Sequence, residues 1–273
     1  MKHILLPLFL FAFTAPWAQE HRLEKLWQTD TTIAVPESVL PDEKEKTLFV
    51  SLIDGGGWEA DGKGGVGKLS PDGKTYNGSW ITGLQAPKGM GRVAGRLYVA
   101  DITEVVVVNI KQGAIEKRIA IDSALGLNDI TVDAKGNVYV SDSRTARIWK
   151  IQNDHPTLYL ENLKGVNGLK SVADDLIIAS GRTFLKADAQ KNLTTIAQLP
   201  QGGDGIEPIG NGDYLVTSWG GYIFYVSADG KVETLLETHQ QKINTADIGY
   251  DPQKRIVYVP TFNGKSVVAY RLL

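Results

Sequence analysis

The sequence predicts an all-β protein, a six-bladed β-propeller closed by pairing of the mature N-terminal strand with the C-terminal blade. Three observations predict it: a β-branched run that recurs six times, polar turns that separate short strands within each copy, and almost no helical pattern. The run "TLFVSL" (Thr47 to Leu52) returns as "RLYVAD" from Arg96, "NVYVSD" from Asn137, "DLIIAS" from Asp175, "DYLVTS" from Asp213 and "IVYVPT" from Ile256. The copies lie roughly forty residues apart, the length of a four-stranded blade.

Taken in order, the chain of 273 residues opens on "MKHILLPLFLFAFTAPWAQE". Lys2, an apolar run from Ile4 to Phe13 and small residues at Ala15 and Ala18 read as a secretory signal peptide over residues 1–18, with cleavage after Ala18 preferred to Ala15. The run is too short to span a bilayer, and no later segment has the length a membrane helix needs. Residues 19–273 are then expected to form one propeller domain, exported to the periplasm or secreted, monomeric and free of the membrane once the leader is removed. The absence of cysteine excludes thiol catalysis and thiolate metal sites. A net charge of -2 with acids and bases interspersed excludes a nucleic-acid footprint.

"HRLEKLWQTD" (His21 to Asp30) looks like an outer strand with no blade before it, while the last repeat ends at "VVAYRLL" without its outer strand. The two are expected to pair, because a closed ring removes the sheet edges that invite aggregation. The next segment, "GGGWEADGKGGVGKLSPDGK" (Gly55 to Lys74), contains G-x-G-x-x-G and most of G-x-x-x-x-G-K. Phosphate binding by either motif needs a helix immediately after the glycines. Here Leu69 stands where Ser or Thr should bind magnesium, and Pro71-Asp72-Gly73 makes a turn. The segment occupies the place of "GGYIFYVSADGK" in the fifth repeat, so no nucleotide is expected, and Lys68 is expected to face solvent from a strand. Outer strands follow at "AIEKRIAI", "PTLYLENL", "NLTTIAQL" and "KVETLLET".

In a propeller the innermost strand of each blade begins at one mouth of the central channel. Counting back from each recurrent run places Glu37, Lys88, Asn128, Asn167, Asp204 and Ala246, with Asp247 beside it, at that mouth. Polar groups at the start of buried strands need partners. Two carboxylates and two carboxamides are hard oxygen donors suited to calcium, or to another divalent cation; the competing reading is that each is a turn residue bonded to its own backbone. Lys88 either donates to a substrate oxygen or forms a salt bridge with Glu37 or Asp204, the latter being preferred.

At these positions the chain resembles the calcium-dependent six-bladed propellers that include regucalcin, the gluconolactonases, diisopropyl fluorophosphatase and the paraoxonases. Glu37 in "PES", Asn128 in "LND", Asn167 in "VNGL" and Asp204 in "GDGI" are similar to the four metal ligands of that family. Three departures stand out. Gly126 occupies the place of an Arg found in the sugar-lactone hydrolases, "LIIASG" lacks an Asp that many relatives carry, and no paraoxonase-type His is evident, His155 and His239 lying in a turn and a connection.

The resemblance implies an exported hydrolase of a lactone or related ester, acting on a small-molecule substrate. Metal ligands would be Glu37, Asn128, Asn167 and Asp204, with Asp204 also catalytic as base or nucleophile and Asn128 and Lys88 in contact with substrate. The alternative is a non-catalytic propeller with a structural calcium that binds a ligand or a protein.

Overall fold

The computed structural model describes residues 21–273, so the expected signal peptide lies outside the described residues. Six four-stranded antiparallel sheets are arranged as blades in a ring. Blade 1 spans 36–84, blade 2 87–120, blade 3 127–160, blade 4 166–198 and blade 5 206–237; blade 6 spans 249–272 and takes its outer strand from Leu23–Gln28. The six recurrent runs are the second strands, buried along nearly their whole length between neighbouring blades. Outer strands carry the complementary pattern; Ala114–Ala120 alternates exposed and covered positions, as one wetted face requires. No helix among the described residues is long and apolar enough to cross a membrane.

Closure is made twice. At the rim, Leu23–Gln28 pairs antiparallel with Val267–Leu272, from Leu23 opposite Leu272 to Gln28 opposite Val268. At the hub, Asp247 N–H donates to the Glu37 carbonyl at 2.9 Å and Val39 N–H to the Asp247 carbonyl at 3.2 Å, tying blade 6 to blade 1.

The glycine-rich segment folds as anticipated around its turn. Gly64–Leu69 is the third strand of blade 1, as Tyr222–Val226 is of blade 5, and Ser70 N–H closes the following turn on the Thr75 carbonyl at 2.8 Å. Lys68 differs from the expectation. It is half-buried, its Nζ 4.3 Å from the Trp80 ring centroid and 5.5 Å from that of Phe49, because the neighbouring strand brings an aromatic face under it. Lys68→Ala should therefore cost about 0.5–1 kcal/mol in a denaturant melt while changing no nucleotide affinity. ATP binding by the native chain that disappears in this variant would refute the structural role.

Candidate functional site at the channel mouth

The inner strands are shaped for a site by a repeated local irregularity. In blades 1 to 4 the register with the second strand breaks between Pro36 and Val39, Pro87 and Met90, Leu127 and Ile130, and Val166 and Leu169. Glu37, Lys88, Asn128 and Asn167 lie inside those breaks. A break of this kind removes ladder partners and redirects a side chain, here into the mouth. The freed backbone donors are partly satisfied by hydroxyls of the second strands: Ser38 N–H donates to Ser51 Oγ at 2.9 Å, Asp129 N–H to Ser141 Oγ at 3.0 Å and Gly205 N–H to Thr217 Oγ1 at 2.9 Å.

Asn128, Asn167 and Asp204 open together on a groove of about 390 Å³, walled by glycines and by Ser143, Ser218 and Trp219. Asn128 Nδ2 donates to Ser143 Oγ at 3.0 Å, and Ser143 Oγ in turn donates to the Val166 carbonyl at 2.7 Å. That chain turns the other end of the Asn128 amide, Oδ1, away from Ser143. Gly168 allows blades 4 and 5 to approach, since a Cβ there would stand 1.8 Å from the Asp204 carbonyl oxygen.

Glu37 and Lys88 are buried at the same mouth, 5% and 3% exposed. Burial pushes the Glu37 carboxyl well above its usual range, against the pull of Lys88 and with help from Asp204 and Asp247. Burial raises Asp204 to about 7, while Lys88 and the Asn167 side chain restrain it. Lys88 is lowered by burial, opposed by the charges of Glu37, Asp204 and Asp101. Glu37, Lys88 and Asp204 are thus one electrostatic unit, with Asn167 bonded to Asp204.

Lys88 corrects the preferred sequence reading. Among the described residues it has no direct ion pair with Glu37 or Asp204; its Nζ instead lies 4.2 Å from the ring centroid of Trp58, carried by the loop after the second strand of blade 1. The sixth position behaves differently again. Ala246 is fully buried and its carbonyl accepts from Thr217 Oγ1 at 2.8 Å, whereas Asp247 turns inward and accepts from Ser38 Oγ at 2.5 Å. Burial raises Asp247 to about 7, with the Ser38 bond holding it down.

The family departures acquire local explanations. Arg144 packs its Cγ where a Cβ on Gly126 would fall, at 2.7 Å, so a side chain from the next turn covers that glycine. Asp142 places it there: its carboxylate accepts from the N–H groups of Leu125, Gly126, Arg144 and Thr145. In blade 4 Ser180 takes the place of such an Asp and donates to the Lys164 carbonyl at 2.9 Å. Neither His155, first residue of an outer strand, nor exposed His239, which pairs with Glu237 at 3.0 Å, lines the groove. Sequence reasoning missed Trp58, Arg144, Trp219 and the buried Asp129. Only Asp129, next to Asn128 in the same motif, carried a readable signal.

Two buried oxygens at the mouth, Glu37 Oε2 and Asn167 Oδ1, have no hydrogen-bond partner. Such atoms are costly unless something else satisfies them. Among the described residues no three His, Cys, Asp or Glu side chains gather as a metal-binding group. The donor set is instead two carboxylates and two carboxamides, a mixture that fits calcium with water or substrate completing its shell.

No protein-family profile and no curated protein matches the sequence significantly. Solved structures do match the fold. A streptogramin B lyase superposes with a TM-score of 0.68 at 11% identity, over 93% of this chain and 98% of that one. A catalytically inactive variant of virginiamycin B lyase from Staphylococcus aureus, solved with quinupristin, gives 0.67 at 14% identity, over 93% of this chain and 100% of that one. A gluconolactonase from Xanthomonas campestris gives 0.68 at 15% identity, over 89% and 88%. The chain is accordingly a six-bladed β-propeller similar in fold to lyase and lactonase propellers.

Proposed function

We propose that the chain is an exported, calcium-dependent hydrolase of a lactone or related ester, allied to the regucalcin and gluconolactonase-like propellers. The observation that carries this reading is the groove shared by Asn128, Asn167 and Asp204, with buried Glu37 interacting electrostatically with Asp204 beside it and with Glu37 Oε2 and Asn167 Oδ1 buried and unpartnered. Glu37 and Asp204 would hold the cation through their carboxylates, and Asn128 and Asn167 through their carboxamide oxygens. Calcium in such a place supplies Lewis-acid polarisation of a carbonyl oxygen.

The protein's own groups divide the remaining work. Asp204, which lines the groove, takes the proton of the attacking water and returns it to the alkoxide oxygen released as the ester C–O bond breaks. Alternatively it attacks the carbonyl itself, expelling that oxygen and forming an acyl-enzyme anhydride that water then hydrolyses. Asn167 fixes the Asp204 carboxylate, and Ser143 fixes Asn128. Trp219, 47% exposed at the edge of the groove, offers a flat apolar face to the body of the substrate. The second reading, a propeller that binds a ligand without turning it over, is favoured by the apolar Ala246 at the sixth position.

Metal analysis of the purified protein, followed by a panel of lactones and aryl esters with and without a chelator, separates the two. Chelator-sensitive turnover is expected. A protein stabilised by calcium yet inert toward the whole panel would leave the binding module.

A further inference from the structure

We infer that Arg144, set over the Trp58 ring that also receives Lys88, forms a subsite for a carboxylate carried by the substrate. The inference rests on the reading of the mouth as a substrate site. Two cations share one aromatic ring: Lys88 Nζ lies 4.2 Å and the Arg144 guanidinium carbon 4.9 Å from the Trp58 centroid. Cation–π contact attracts each of them to the ring. It does not remove their mutual repulsion.

Glu37, Asp204 and Asp101 act on the Lys88 charge, whereas Arg144 is left without an ion-pair partner among the described residues. Among the described residues neither Lys88 nor the Arg144 guanidinium has a direct ion-pair partner, although the chain forms such pairs widely elsewhere. The nearby carboxylates are committed. Asp101 accepts from Gln85 and Ala86, Asp142 from the four N–H groups that shape the Arg144 turn, and Glu37 and Asp204 belong to the mouth beneath. Lys88 is buried, whereas Arg144 is exposed at the surface. Arg144 therefore makes the contact, while the buried Lys88 is engaged by the carboxylates around it.

The chemistry selects a planar anion. A guanidinium resting on an aromatic face keeps its in-plane donors for a coplanar partner, and a carboxylate matches two of them at once. The loop that presents Trp58 is anchored to the connection between blades 1 and 2, where Gly62 N–H donates to Gln85 Oε1 at 2.9 Å. Ser143, which lines the groove, immediately precedes Arg144. A substrate whose carbonyl reaches Asp204 can thus place a second, anionic end on Arg144.

The test has two arms. In the first, turnover of γ-carboxy-γ-butyrolactone is compared with that of neutral γ-valerolactone, of similar size. A preference of tenfold or more for the anionic lactone is expected, collapsing in Arg144→Gln through KM rather than kcat. In the second, binding of benzoate and of neutral benzyl alcohol is measured by calorimetry in the native protein, Arg144→Gln and Trp58→Leu. Benzoate is expected to bind more tightly than the alcohol, to weaken with salt, and to lose at least tenfold in affinity in Arg144→Gln. Lactone turnover indifferent to charge would overturn the subsite and leave the hydrolase reading standing. Arg144-dependent benzoate binding by a protein that turns over no lactone would support the subsite and remove the hydrolase. Benzoate binding abolished by chelator but unchanged in Arg144→Gln belongs to the metal and overturns the subsite.

Discussion

Asp204→Asn is expected to abolish lactone turnover even at calcium concentrations that restore occupancy, whereas Glu37→Gln is expected to recover part of its activity in excess calcium. Each substitution removes one of the two anionic groups among the four proposed ligands, so each should weaken calcium binding. Each should also reduce the calcium-induced rise in melting temperature, because a ligand of the folded state stabilises by mass action. The difference lies in position. Asp204 lines the open groove, and loss of a general base there costs about 10²–10⁴ in kcat. Glu37 lies buried at the hub, bonded through its carbonyl to the backbone of blade 6, and does not line the groove. The measurement is kcat against calcium concentration for both variants, beside calcium titrations of their melting temperatures. Equal rescue would reduce Asp204 to a ligand, and melting temperatures indifferent to calcium in the native protein would return all four residues to turn and strand roles.

A chain that begins at Thr31, lacking 21–30, is expected to melt at least about 10 °C lower than one beginning at His21 and to aggregate. The missing strand pairs with Val268 to Leu272, and beyond it Arg22 and Leu273 exchange backbone hydrogen bonds in both directions. It also grips the blades on either side. Trp27 packs 5.9 Å from Tyr258 and touches the turn of blade 1 at Gly73, while His21 stacks on Tyr225 of blade 5 at 3.7 Å and bonds Glu233 at 3.0 Å. Trp27 is half-buried, so its loss costs less than the about 3–5 kcal/mol of a core Trp; the lost strand pairing adds to it, and each kcal/mol is roughly 2–4 °C for a domain of this size. The open edge of Val267–Leu272 then becomes a template for intermolecular pairing. Unchanged solubility and melting would mean that the hub bonds between Glu37, Val39 and Asp247 close the ring unaided. Trp27→Ala, which keeps the strand, separates lost packing from the exposed edge.

The blades were legible in the sequence because a strand buried on both faces must be written in β-branched and aromatic residues, and six copies of one writing expose the period. The seam was legible for the same reason, as an outer strand at one end and a missing one at the other. Glu37, Asn128, Asn167 and Asp204 could be picked out because the period assigns them equivalent places, each at the start of an inner strand. Periodicity is silent about residues that have no counterpart in other blades. Trp58 sits in a loop peculiar to blade 1, and Arg144 meets it from a turn that the Asp142 carboxylate braces by accepting from Gly126 and Arg144 N–H. Lys88 was assigned a carboxylate partner on charge alone, and Lys68 a solvent-facing place on strand alternation alone; in each case an aromatic ring from another strand or loop took the ammonium. The sequence by itself determined the architecture and the ring of polar positions, since both follow from local preference repeated at a fixed interval. Tertiary structure decided what surrounds each of those positions, because burial and the meeting of loops from different blades depend on contacts between segments that are distant in the chain.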